Sequence, residues 1–524
     1  MQKKDYDVIV LGSGIAGLGS AVAAQKLGLR TLVLEVSDLL GGGTCHSTGL
    51  IWIGCNHLAR AAGLPDEPDW VQNYMRFLGG GQEDPRNMQA LIDTGPPALE
   101  FFENCGIKFR LVKHMADHYF GVAPNALAEG RTLETTLISS EVLGEWEDKL
   151  RRTSGATHSV TAEELVEFRA KGFPPGLLDE RQKQHACGLG VGVIVHFLHA
   201  ALKLGVEFRT NQKTSELLLR DGRVQGVRLA DGELIEARRG VVLATGGYES
   251  NPEMIRQFEG LPNWRTYFPA SIRGDAIPLG TRAGAAVSVV QNNMQLFLGF
   301  PMPKPGQQGP APFRLAGIIE LCSPHTMVVN KSGRRFANES VFQLMAARLR
   351  DFDVDRHAYA NLPCFLLFDR RFTEQFSFGG LPVGEIPAWV KRSDTLEGLA
   401  QELGIDAAEL GKTVSRFNGF AATGVDTDFG RAGDLRFKNR PSLGSLEVGP
   451  FYGTELNPAG SCSAGLLTDV HSNVVTQEGE PLPGLYAVGN AACKRELGTG
   501  YQAGLTIASG MVFGLRSARH MAGA

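Results

Sequence analysis

Asp7-Val8-Ile9-Val10-Leu11-Gly12-Ser13-Gly14-Ile15-Ala16-Gly17 is the stretch on which the fold turns. Its first five residues read as a short buried strand, the glycines as a turn, and the Ala/Leu-rich run to about Leu27 as a helix. Thr31-Leu32-Val33-Leu34 reads as a second strand. It ends in Glu35, eighteen residues beyond Gly17, where an acidic side chain can grip ribose hydroxyls. In such a unit Gly12 permits the tight turn, Gly14 lets a pyrophosphate approach the backbone, and Gly17 lets helix and strand pack closely. Amides and positive potential at the helix start, around Ile15 and Ala16, favour phosphate. The expectation is a dinucleotide site on a βαβ unit.

Composition narrows the classes. The chain has 524 residues, three to four times a common domain, so more than one core is expected. Its 43% hydrophobic and 21% charged residues are those of a folded globular protein. A net charge of −4 without long runs of one sign leaves no electrostatic footprint for nucleic acid. Eight cysteines are scattered without a CxxC pair, so neither a zinc site nor a disulfide framework is expected. The N-terminus enters a strand directly, and the most apolar run, Gly188 to Leu202, is too short to span a bilayer. A cytoplasmic protein without a transmembrane segment is expected, with peripheral membrane contact left open. Glycine is the outlier, at 65 residues against an average of roughly 7%.

Further along, Glu216–Leu219, Val224–Leu229 and Glu233–Ala237 read as strands joined by Asp-Gly turns. Val241-Val242-Leu243 then returns to a buried strand before Ala244-Thr245-Gly246-Gly247. Gly484 to Val488 reads as another strand, with a turn at Gly489-Asn490, and Gly504 to His520 as a helix. The C-terminus is therefore expected to rejoin the first domain. Thr395 to Phe417 reads as two amphipathic helices broken at Gly404-Ile405-Asp406, and the proline-rich Pro301–Pro312 as a loop.

Taken with Gly42-Gly43-Thr44, Ser47, Trp52, Asn56, Gly333 to Glu339 and Asp428 to Arg431, these segments resemble, over nearly the whole chain, the flavoproteins grouped with soluble fumarate reductases and 3-ketosteroid dehydrogenases. The steroid branch is the nearer of the two. The resemblance implies an α/β fold: a Rossmann-like FAD-binding domain of the glutathione-reductase type, interrupted by an α+β cap carrying catalytic residues. Its expected boundaries are 1–275, 276–447 for the cap, and 448–524. Noncovalent FAD is implied, held by Gly12, Gly14, Ile15, Ala16, Gly17, Glu35, Gly42, Gly43, Thr44, Ser47, Thr48, Gly49, Ala244, Thr245, Gly246, Gly489, Asn490, Leu505 and Thr506.

Three places separate the branches. Arginines clamp carboxylates in the fumarate type; tyrosines surround a ketone in the steroid type. In Gly498-Thr499-Gly500-Tyr501-Gln502-Ala503-Gly504 this chain carries Tyr501, which by resemblance polarises a carbonyl with the Gly504 amide. Tyr119, ahead of Gly130-Arg131, matches a pocket tyrosine that assists proton removal. At the third place, seven positions beyond Phe336, relatives carry a tyrosine or arginine that handles the proton; this chain has Gln343, whose amide has no titrating proton near neutrality. Either the proton then passes to Tyr119, His118 or His325, or the substrate differs in shape and polarity. The implied reaction is C=C formation beside the carbonyl of an apolar cyclic ketone such as a 3-ketosteroid, with hydride passing to flavin N5. Its electron acceptor is left open among a quinone, a dye-like carrier and oxygen. The alternatives are a fumarate-type enoate or dicarboxylate reductase and a flavin-binding paralogue without catalysis. His196 and His199 lie three apart on an apolar run without acidic or thiol companions, so no metal is expected there.

Overall fold

The computed structural model describes residues 6–153, 156–168, 172–304, 306, 311–433 and 442–524. The chain divides into two compact units, Met1–Glu259 with Phe268–Gln291 and Cys462–Ala524, and Gly260–Tyr267 with Asn292–Ser461. The first boundary falls later than 275 because the Ala276–Arg282 helix buries Ala276 and Leu279 beside Leu466 and Leu485, and Val287–Val289 pairs with Ala464–Leu466. The return falls later than 448 because Phe451–Gly460 is an internal strand of the second unit's sheet.

In the first unit, strands run in the order Asn473–Val475, Pro481–Ala487, Leu234–Leu243, Tyr6–Leu11, Thr31–Leu34, Glu207–Arg209. All pairings between neighbours are parallel except the first. Parallel strands are covered on both faces and read as continuous apolar runs, as Val8 to Leu11 and Thr31 to Leu34 do, every one of them buried. The expected meander is present at Thr214–Arg220 and Arg223–Leu229. Its third strand is not separate: Leu234–Leu243 runs unbroken from the antiparallel meander into the parallel sheet. Gly240 lies within that run, where a Cβ would come 2.8 Å from the Gly484 carbonyl oxygen.

The Ile15–Lys26 helix is buried almost all round because the Leu505–Ala522 and Leu189–Leu204 helices pack against it. Its small residues permit this: a Cβ on Gly510 would lie 3.2 Å from that of Ala16. Each aliphatic side chain so enclosed contributes roughly 1.5–3 kcal/mol.

The second unit is an antiparallel sheet ordered Phe313–Leu315, Leu296–Pro301, Phe451–Gly460, Cys364–Asp369, Thr326–Asn330, with Lys391–Ser393 beside Phe451–Gly460. Leu396–Leu403 and Ala407–Thr423 are the two expected helices; Thr395 and Asp406 cap their starts, accepting from the amides of Gly398 and Glu409. The Gly333–Glu339 and Asp428–Arg431 motifs meet in one buried ionic knot. Arg335 grips Glu339 through two bonds of 2.7 Å and Asp426 through one of 2.8 Å, while Arg431 donates to the carbonyls of Thr326 and Ser323 at 2.7 and 2.8 Å. Of the proline-rich loop, residues 305 and 307–310 lie outside the described residues. Among the described residues no helix is long and apolar enough to cross a membrane.

Candidate active site

Four parallel strands of the first unit finish at one sheet edge, where Leu11 aligns with Leu34 and Leu243, and Leu243 with Ala487. Gly12, Glu35, Ala244 and the Gly489–Ala491 turn therefore gather outside the strands' carboxyl ends, where open α/β sheets bind ligands. Gly12 has φ +105°, and a Cβ there would lie 2.4 Å from the Ala244 carbonyl oxygen; one on Gly17 would lie 2.0 Å from the Gly12 oxygen. Gly14 is the opposite case. Its nearest neighbour would be Thr44 Oγ1 at 3.6 Å, so the backbone is bare toward the cradle.

The loop Gly42–His46 forms a single tight turn under that cradle, and the Thr44 hydroxyl accepts from the Ile15 amide at 3.1 Å. Ser47 Oγ donates to the Thr44 carbonyl at 2.8 Å and accepts from the Gly49 amide at 3.2 Å; Thr48 is exposed. Glu35 accepts from Ser13 N and Oγ at 3.0 and 2.6 Å and from Ser37 N at 3.0 Å, so its carboxylate also fastens the glycine turn. The Leu505 amide, expected among the cofactor donors, is taken by the Gln502 carbonyl at 3.1 Å, because Gly504, at φ +92°, turns the chain tightly into the last helix.

Beside Gly246 and Asn490 the interior is unusually polar. Glu249, Lys494 and Glu496 are all buried. Burial raises the Glu249 and Glu496 carboxyls and lowers the Lys494 ammonium, while the opposite charges of Glu249 and Lys494 partly offset this. Thr245 Oγ1 and Glu249 Oε2 are buried without a hydrogen-bond partner among the described residues. Orphaned oxygens of that kind cost about 1–3 kcal/mol each unless a ligand meets them. The open Gly14 backbone and these two acceptors fit a cofactor carrying both pyrophosphate and polyol hydroxyls.

On the same unit, the Gly498–Gly504 turn docks on the end of the Pro68–Gly79 helix. Thr499 Oγ1 donates to the Leu78 carbonyl at 3.2 Å, and a Cβ on Gly500 would come 2.4 Å from that oxygen. Gln502 is the clamp: its Oε1 accepts from the Tyr74 hydroxyl at 2.5 Å and from the His118 amide at 2.8 Å. The Tyr501 and His118 rings meet edge to face, centroids 5.0 Å apart and planes at 88°. Burial, reinforced by Tyr119, pushes the Tyr501 phenol well above its usual range, which keeps its O–H available as a donor. Tyr119 is buried edge-on to Phe77, centroids 5.7 Å apart.

A second network fixes the loop that carries His118 and Tyr119. Asp117 accepts from Trp52 Nε1 at 2.7 Å, from the Leu127 amide at 2.8 Å and from Arg131 at 2.8 Å. Arg131 also reaches Asp66 through bonds of 2.9 and 2.6 Å.

A family model described as an FAD binding domain matches residues 7–504. The chain belongs to that family. As an FAD binding domain protein, it takes FAD. It is 32% identical to a 4-oxocyclohexanecarboxylate 2-dehydrogenase of Sinomonas cyclohexanicum, over 99% of this chain and 93% of the relative. A 3-oxosteroid 1-dehydrogenase of Mycobacterium tuberculosis is 30% identical, over 100% of this chain and 99% of the relative. The crystal structure of the 3-ketosteroid delta1-dehydrogenase from Sterolibacterium denitrificans with 1,4-androstadiene-3,17-dione superposes with a TM-score of 0.86 at 29% identity, covering 99% of both chains.

In this flavoprotein Tyr501, Tyr119, His118 and Gly504 lie within one unit, whereas Gln343 and His325 belong to the other. Gln343 is wholly buried, and neither polar atom of its amide has a partner among the described residues. His325, at φ +64°, has Nδ1 bonded to the Ser445 carbonyl at 2.8 Å. His196 is structural: its Nε2 meets the Thr136 carbonyl at 3.0 Å, and burial pushes it down to about 4. Sequence reasoning passed over Gln502, Glu249 and Lys494. Only the last had a local signal, the charged Lys494-Arg495-Glu496 interrupting an apolar connection.

The cradle separates two glycine substitutions. Gly14→Ala is expected to leave the fold intact, because its Cβ meets nothing closer than 3.6 Å, and to crowd a pyrophosphate bound at the cradle. Purified variant is expected to bind FAD about 10- to 100-fold more weakly, the scale of a 1–3 kcal/mol overpacking cost. Gly17→Ala, with a Cβ 2.0 Å from the Gly12 oxygen, lowers folding stability as well. Flavin titration of the apoprotein beside thermal melts distinguishes the two.

Proposed function

We propose that this flavoprotein is a dehydrogenase that forms a C=C bond beside the carbonyl of an apolar cyclic ketone, 3-ketosteroid-like in chemistry. The observation that carries this is a tyrosine, Tyr501, on the turn that enters the last helix, its ring edge-on to that of His118, with no arginine between Gly498 and Gly504. Both relatives described above act, by name, on cyclic ketones. When bound, FAD supplies the hydride acceptor at N5.

The protein's own residues do the rest. Tyr501 donates to the ketone oxygen and stabilises the negative charge that develops there as the α-proton leaves. Tyr119 assists at the α-carbon, and Gln343 tunes binding through its amide. The first unit acts as the glutathione-reductase-type flavin domain and the second as the substrate cap. FAD is held noncovalently, and the enzyme works in the cytoplasm with a quinone, a dye-like carrier or oxygen as electron acceptor.

Anaerobic mixing tests the reading. Saturated cyclic ketones, among them 3-ketosteroids and 4-oxocyclohexanecarboxylate, are expected to bleach the oxidised flavin, and fumarate is expected not to reoxidise the chemically reduced protein. Reoxidation by fumarate with no response to any ketone overturns it.

A further inference from the structure

The desaturation just proposed needs a base, and with Gln343 at the position where a titrating side chain was expected, that base must come from elsewhere. We infer that His118 is the catalytic base, taking the α-proton of the ketone held by Tyr501; the inference rests on the ketone-desaturase reading. Three observations converge on it. The imidazole stands edge-on to the Tyr501 ring at 5.0 Å, beside the donor that holds the carbonyl oxygen, and the α-carbon lies one bond beyond the carbonyl carbon. Its backbone is not free to wander, because Gln502, next to Tyr501 in the chain, accepts from the His118 amide at 2.8 Å. And His118 is only half-buried, while Tyr119 beside it is buried, which favours exchange of its proton with water.

Chemistry favours the imidazole over both phenols. A phenol titrates near 10, and burial raises that of Tyr501 further, so in the neutral range it is already occupied by its own proton. An imidazole, unperturbed near 6.5, is the side chain whose neutral form is abundant at pH 7 and whose basicity suits proton abstraction. In the step, the α C–H bond breaks, its electron pair forms the enolate C=C, and the proton bonds to a ring nitrogen of His118. As the carbonyl re-forms, those electrons create the new C=C bond and the β-carbon loses hydride to the flavin, the oxidant. The imidazolium then gives its proton to solvent.

Among the described residues, several charged and titratable groups stand around His118. Its own loop contributes Asp117 and Tyr119; Arg131 sits on Asp117; Tyr74 of the Pro68–Gly79 helix shares the Gln502 oxygen with the His118 backbone amide; Tyr501 faces the ring from the last turn. Asp117 is engaged with Trp52, Leu127 and Arg131, so its charge is compensated before it reaches the imidazole.

The test is stopped-flow flavin reduction by a ketone that bleaches the wild-type holoenzyme, followed against pH. The wild type is expected to show an acid limb, its rate rising as His118 loses its proton. His118→Gln and His118→Ala are expected to be slower by about 10²- to 10⁴-fold, to lose that limb, and, for the alanine variant, to recover rate with added imidazole. Flavin content and melting curves check that both variants are folded. Rates within about threefold of wild type with the acid limb retained overturn the inference while leaving desaturation standing. A wild type that no cyclic ketone bleaches overturns the desaturase reading and this inference with it.

Discussion

Tyr501→Phe lowers the rate of ketone-driven flavin reduction by about 10²- to 10³-fold, the loss that follows removal of one oxyanion-stabilising donor. The substitution is clean. Phenylalanine keeps the ring that packs against His118 at 5.0 Å, and Gln502 still holds Tyr74 and His118, so the turn stays in place. Only the hydroxyl goes. Because that hydroxyl interacts more strongly with an enolate oxygen than with a neutral carbonyl, kcat and kcat/KM fall together while KM changes little. The raised phenol carries a second consequence: no alkaline limb from Tyr501 appears in the neutral range, since its proton stays on until well above the usual value near 10. Pre-steady-state bleaching of wild type and variant, each with full flavin, measures both effects. Near wild-type rates in the variant would reduce Tyr501 to a packing residue.

What the sequence made legible follows from distance along the chain. The glycine cradle and Glu35 lie within one local unit, and spacing alone places them. The two helices at Leu396–Leu403 and Ala407–Thr423 were readable for the same reason, with caps and a breaking glycine inside a short window. Gly240 and two arginines interrupt the apolar pattern of Leu234–Leu243, so the sequence reads as two strands there; what makes it one strand is pairing with partners on both sides, which no window contains. The same limit hid Gln502. Its partners Tyr74 and His118 are 428 and 384 residues away, so nothing around Gln502 marks it as a clamp. Glu249 and Lys494 were invisible as a pair, since strand ends far apart in sequence bring them together. Gln343 shows the reverse: spacing found the position, but only the structure shows an amide wholly enclosed with neither polar atom paired among the described residues.

Arg131→Met destabilises the protein by about 3–5 kcal/mol, the cost of removing one partner from a buried ion pair. Arg131 is buried at 1% exposure and is shared between two carboxylates, Asp66 at 2.6 Å and Asp117 at 2.8 Å, both of them buried as well. Methionine fills much of the volume, so what is lost is charge and hydrogen bonding rather than packing. Its guanidinium carbon also lies 5.5 Å from the Trp52 ring and 5.6 Å from that of Tyr74. Burial already lifts the Asp117 carboxyl above its ordinary range despite the guanidinium and the Trp52 and Leu127 donors, and without Arg131 it climbs further. A carboxyl whose folded pKa is raised penalises folding when ionised: the penalty is absent below the ordinary value near 3.9 and grows as pH rises through the folded value. The gap between variant and wild type in denaturant midpoints is therefore widest near neutrality and narrows toward acid. A gap that is constant with pH, or below about 1 kcal/mol throughout, would mean that the carboxylates find other partners. Loss of Arg131 also frees the loop bearing His118 and Tyr119, so at temperatures where the variant remains folded and keeps its flavin, ketone-driven bleaching slows even though Tyr501 is unchanged.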